Sequence, residues 1–178
     1  MSHTARTIFL SLAMLGAGSA GAQSHNPYAG QHERPIKALS EDDTRQYLAG
    51  AGMGYAKAAE LNHFPGPMHV LDLADQLELS AQQRDAIRQL MDEHKRDARE
   101  IGAKVVKAER SLDELFQKQD ADRQALEQAV RQAASLQGEY RLSHLETHRR
   151  TRALLTSDQI AAYDRLRGHG GNQKHHGG

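Results

Sequence analysis

The chain has 178 residues, no cysteine, no tryptophan and few aromatic side chains, and its 23 basic residues balance 23 acidic ones. A disulfide framework and a thiol nucleophile are excluded, and neutrality removes the electrostatic basis for binding nucleic acid. Abundant Ala, Gln, Glu, Arg and Leu favour helix in a single domain with a thin core.

In chain order, Arg6, the apolar run Ile8 to Leu15 and the small residues Ala20-Gly21-Ala22 match a secretory signal peptide over residues 1–22. The mature chain is expected to begin at Gln23 in the periplasm, with one excess acid once Arg6 is lost. No later run approaches the roughly 20 apolar residues of a transmembrane helix, so no membrane insertion is expected after cleavage. Residues 23–39 carry Pro27, Gly30 and Pro35 without periodicity and read as an extended or mobile arm.

A helical region is expected over residues 40–167. Ser40 before Glu41, Asp42 and Asp43 is an N-cap with acids in the first turn, and its helix should run to about Ala49. Gly50, Gly52 and Gly54 then form a hinge. No strand precedes them and their spacing matches neither phosphate-binding fingerprint, so no nucleotide is expected. Tyr55 to Asn62 resumes a helical pattern, His63-Phe64-Pro65-Gly66-Pro67 is a turn, and Met68 to Leu77 fits another short helix. His63, Met68 and His69 are either a soft metal site or ordinary packing and surface residues.

The stretch from Ser80 to Leu154 reads as two long helices folded into an antiparallel hairpin. Ile87, Met91, His94, Ala98, Ile101, Val105, Ala108, Leu112 and Leu115 follow the four-three spacing of a packing seam. In the second arm Leu126, Val130, Ala133, Gln137, Tyr140, His144, Thr151 and Leu154 share one face, with His148 beside them. A turn near Asp120, the expected N-cap of the second arm, leaves His94 26 residues before it and His144 and His148 24 and 28 after it. All three imidazoles then fall at one level, within about 3 Å for a turn misplaced by two residues.

Two capping boxes of the form L-[ST]-x-x-Q punctuate this hairpin: Leu79-Ser80 with Gln83, and Leu155-Thr156 with Gln159. The second adds a hydrophobic staple, Leu155 against Ile160. Two such boxes, one opening a long helix and one between the other long helix and a short terminal one, resemble the LTxxQ-motif Spy/CpxP family of periplasmic chaperones and stress proteins. That family is related to the zinc-resistance-associated protein and to CnrX-type periplasmic heavy-metal sensors. The likeness covers about Leu71 to Arg167, with Ser80 where the first box usually has Thr. The segments Ala58-Ala59-Glu60-Leu61-Asn62, Pro65-Gly66-Pro67, His69-Val70-Leu71 and His144-Leu145-x-x-His148 are similar to its heavy-metal-sensor subgroup. The resemblance implies an all-α hairpin that dimerises as a cradle and holds unfolded clients without ATP. Its sensor relatives bind metal through histidine, carboxylate and methionine from facing helices.

Two histidines at i and i+4 can chelate a divalent transition metal while a third reaches across from the partner helix. His94, His144 and His148 are therefore the candidate ligands, with Met91 or Asp97 as a fourth, and zinc, nickel, cobalt or copper as the ion. The alternative is three core imidazoles hydrogen-bonded to neighbouring polar groups. The tail, residues 168–178, is glycine-rich and is expected to be disordered, its His169, His175 and His176 either weak ligands or solvated. No nucleophile elbow or zincin motif is present, and H-L-E-T-H at His144 places its glutamate one position late, so no enzyme is expected. The expected function is a metal-binding stress protein, homodimeric because a thin hairpin buries little alone, that signals to a membrane partner. The alternative is a chaperone for unfolded exported proteins, without a specific metal site.

Overall fold

The computed structural model describes residues 27–119 and 121–169. The signal peptide expected at 1–22, Asp120, and His175 and His176 lie outside these. Six α-helices follow in order: α1 (Glu41–Ala49), α2 (Lys57–Glu60), α3 (Pro67–Asp72), α4 (Ala81–Gln117), α5 (Arg123–Ala153) and α6 (Ser157–Arg167). Among the described residues there is no strand, and no helix is long and apolar enough to cross a membrane. The fold is an all-α hairpin, α4 against α5, with the short helices packed on it.

Four of the six described helices, α1, α4, α5 and α6, start where a side chain accepts from the free amides; α2 and α3 start at Ala56 and Gly66 without one. Ser40, Ser80 and Thr156 all close capping boxes, with Asp43, Gln83 and Gln159 reaching back to the cap residue's own N–H. The hairpin reverses where expected, but the cap of α5 is Asp122 rather than Asp120. Its carboxylate accepts from the N–H groups of Gln124 and Ala125 at 2.7 and 3.1 Å. The two-residue shift lies within the tolerance of the level argument. The facing stripes are largely as read: Ile87, Ala98, Val105 and Ala108 are buried on α4, and Ala133, Tyr140, His144 and Thr151 on α5. Val130 departs from this pattern and is exposed, because a pair of helices shields only the stripe between them.

The arm before α1 is not wholly extended. Its first described part holds a 3-10 turn, Gln31–Glu33, and Ile36 is buried with Tyr47, Ala98, Val105, Val106 and Tyr140. This apolar cluster seats α1 on α4, and Gly102 makes the seat. A Cβ there would lie 2.0 Å from the carbonyl oxygen of Tyr47, so only glycine lets the end of α1 approach α4 so closely.

A second cluster, Val70, Ala74, Leu77, Leu79, Ile87 and Tyr163, closes the far end of the hairpin around α3 and α6. Here the two capping boxes do more than start helices. The amide nitrogen of Gln83 donates to the oxygen of Gln159 at 2.8 Å and to the Leu154 carbonyl at 2.8 Å. That of Gln159 donates to the oxygen of Gln83 at 3.1 Å and to the Leu77 carbonyl at 3.1 Å. Each side-chain oxygen also accepts from its own cap residue, Ser80 or Thr156. Both carboxamides thus use their two donors and two acceptor positions, locking the starts of α4 and α6 together. The staple residue Leu155 packs against the same cluster.

Candidate metal centre

Between the two clusters along α4 lie Met91 and His94, opposite His144 and His148 on α5. The hairpin brings the first two imidazoles into contact: Nε2 of His94 is 2.9 Å from Nδ1 of His144, and their ring centroids are 4.5 Å apart. His94 also meets the Ser143 hydroxyl through Nδ1 at 3.2 Å. His144 is only 4% exposed and is clamped by aromatic rings, Tyr55 stacked at 6.5 Å and Tyr140 edge-on at 4.7 Å.

This enclosure sets its protonation. Burial, and then the neighbouring His94 and His148, push the His144 imidazolium down to about 4, so the ring is neutral at pH 7. Burial and His148 lower His94 as well, against a smaller opposing pull from Asp97. One nitrogen of His144 is used by His94. The other, Nε2, is buried without a hydrogen-bond partner among the described residues. A buried imidazole nitrogen left in this way carries the full cost of desolvation, and a ligand is one way such a cost is recovered.

His148 lines the same cavity but turns its Nδ1 to the Phe64 carbonyl at 2.7 Å, with a Glu60 oxygen at 3.6 Å. Because a carbonyl only accepts, Nδ1 carries the proton and Nε2 keeps its lone pair. That is the tautomer a metal ligand needs, fixed from behind. The cavity, about 560 Å³, is closed on its other side by Gly50, Gly52, Met53 and Gly54, and by Gly66, Pro67, Met68 and His69. The glycine hinge and two of the three residues His63, Met68 and His69 are therefore walls of the histidine site, His63 being the exception.

Two expected ligands are placed elsewhere. Asp97 does not line the cavity; it faces solvent beside Arg96 at 3.2 Å. On a helix Met91 and Asp97 lie about 60° to either side of His94, and the cavity opens on the Met91 side. His63 points away to Asp164 at 2.6 Å. His169, expected in a disordered tail, is held by its backbone N–H on the Asp164 carbonyl at 2.8 Å, its buried Nδ1 3.9 Å from Glu60. Sequence reading missed Met53, Tyr55 and Glu60 as parts of the site. A methionine between two glycines was the available signal for the first. For Glu60 the available signal was its place in Ala58-Ala59-Glu60-Leu61-Asn62, a segment similar to the heavy-metal-sensor subgroup, since by pattern alone one acid in a short amphipathic stretch is an ordinary surface residue.

Among the described residues, no three His, Asp or Glu side chains are gathered closely enough to enclose an ion by themselves. The nitrogen pair of His94 and His144 nevertheless stands at the spacing of two neighbouring ligands on one ion. Metal–nitrogen bonds of about 2.0–2.1 Å at angles of 90–109° put their nitrogens about 2.9–3.4 Å apart. The residues fit two imidazole ligands directly and a third, His148, in the same cavity.

No curated protein and no solved structure matches the chain. A family model described as heavy-metal resistance matches residues 47–162, a span that holds every histidine and methionine lining the cavity. Since that match covers well over half of its length, the chain belongs to the heavy-metal-resistance family, that of the Spy/CpxP-like periplasmic metal-resistance proteins.

Proposed function

We propose that this chain serves heavy-metal resistance in the periplasm by taking a transition-metal ion into the cavity between the hairpin and the glycine loop, with His94, His144 and His148 as imidazole ligands. The observation that carries the reading is the pair of facing imidazole nitrogens, Nε2 of His94 and Nδ1 of the neutral His144, 2.9 Å apart at the spacing of two ligands on one ion. An ion entering there replaces the His94–His144 hydrogen bond, one of two polar links that His94 makes to the other arm. Occupancy would thereby alter how α4 and α5 pack, and with it any surface a signalling partner reads.

Calorimetric titration with zinc, nickel, cobalt and copper tests this in the full chain, with His175→Ala and His176→Ala removing tail ligands. One ion per chain is expected, lost in His144→Ala. No binding tighter than about 10 μM would overturn the reading.

A second reading, a chaperone for unfolded exported proteins, draws on the exposure of Phe116, Val130 and Leu142 on the hairpin arms. It requires that an equimolar dose of the metal-free protein suppress aggregation of an unfolded client, and that Leu142→Lys reduce that effect.

A further inference from the structure

The described residues contain three methionines, Met53, Met68 and Met91, and all three line the histidine cavity. They arrive from separate places: the glycine loop, the first turn of α3, and α4 one turn before His94. Packing does not account for the set. Met53 rests partly on the Tyr47 cluster, but Met68 is more than half exposed. Met53 also holds a φ of 45° between Gly52 and Gly54, a left-handed backbone that methionine adopts only at a cost.

The oxygen donors are diverted. Glu60 is the one acid lining the cavity, and its oxygens accept from the Tyr163 hydroxyl and the Gly66 N–H. The remaining donors are neutral imidazole and thioether, a soft set. Zinc takes three or four nitrogen, thiolate or carboxylate ligands converging on one point, a cluster that the described residues of this cavity do not form. The fixed charges point the same way. Lys57, Lys95 and Arg167 outnumber Glu60 around the cavity, so a monovalent ion meets half the repulsion of a divalent one.

We propose that the ion this cavity selects is monovalent copper, held by thioether sulfur from Met53, Met68 and Met91 together with the imidazoles of His94 and His144. The inference rests on the reading of the cavity as a metal site and narrows it to a soft, singly charged ion.

The test is anaerobic competition of the full chain against a chromophoric cuprous chelator, with parallel titrations of Zn(II) and Ni(II) against a chromophoric divalent chelator. His175→Ala and His176→Ala are present throughout. Cu(I) is expected to bind about 100-fold or more tighter than Zn(II), and the triple Met53→Leu, Met68→Leu, Met91→Leu variant to lose about 100-fold for Cu(I) with Zn(II) unmoved. Met68→Leu alone, at an exposed position that does not threaten the fold, should lose about tenfold. Sulfur scatterers should appear in the X-ray absorption spectrum of the Cu(I) protein.

Zn(II) or Ni(II) binding as tightly as Cu(I) overturns the inference. So does a folded triple variant with undiminished Cu(I) affinity. Either result leaves the histidine reading standing. If no ion binds the parent chain, or if His144→Ala binds every ion as the parent does, the metal reading falls and the copper inference with it.

Discussion

Two levels of the hairpin treat their polar groups in opposite ways. At the start of α4, Gln83 and Gln159 lie against an apolar cluster with every donor and acceptor used. Three turns along the hairpin His144 is buried more deeply than either half-buried glutamine, yet one of its nitrogens meets no partner among the described residues. A fully satisfied buried network fixes one arrangement of the helices. A buried group without a partner weakens the fold, and a water or an ion bound there would offset that cost. The first region holds the hairpin shut, and the second stays incomplete within it.

The largest change should come from the closed end. Ile87 is fully buried there, and Ile87→Ala is expected to cost about 2–5 kcal/mol of unfolding free energy, measured by urea denaturation. Ion affinity of the molecules that remain folded should not change. Gln83→Glu is sharper, because an isolated capping box accepts glutamate and glutamine alike. In this pairing a carboxylate keeps the bond from Ser80 but loses both donors and sets oxygen against oxygen at Gln159. A loss of roughly 2–4 kcal/mol is expected, and a near-neutral result would mean that the two boxes are not coupled.

The open region answers to pH. An imidazole with an ordinary value of 6.5 falls to about 4 at His144, chiefly through burial and then through His94 and His148. Above pH 6.5 the residue is neutral whether folded or not and contributes no slope. Between pH 6.5 and 4 the unfolded chain takes up a proton that the native one refuses, so stability declines across that window. His94, also lowered, adds in the same direction. Thermal melts of the metal-free protein should show a falling Tm from pH 6.5 to 4.5, and His144→Leu should flatten that slope.

The smallest effect on stability is the most telling. His144→Leu removes the unpartnered nitrogen and keeps an apolar volume, so stability at pH 7 should stay within about 1 kcal/mol of the parent or rise. Ion uptake should be lost. A strongly destabilised His144→Leu would assign the ring to the architecture and erase the contrast between the two regions.

The short helices α2 and α3 are briefer than their patterns suggested, but the sequence by itself determined the two long helices, the caps at Ser40, Ser80 and Thr156, the reversal to within two residues and the level at which His94 and His144 meet. Those follow from local rules: hydroxyl and carboxylate caps, a four-three apolar spacing, and a fixed rise per residue that makes height along a hairpin a matter of counting. What only the tertiary structure decided was everything that depends on a third segment crossing the pair. Counting placed His148 correctly in height but could not say that Phe64 would take its Nδ1. It left Asp97 and Met91 equivalent until the cavity opened on one side of His94. It read the glycine loop and the Met68 turn as separate features and saw two glutamines only as caps. Local periodicity encodes which face of a helix turns inward, whereas the partners that reach that face across long stretches of chain are chosen by packing the whole molecule at once.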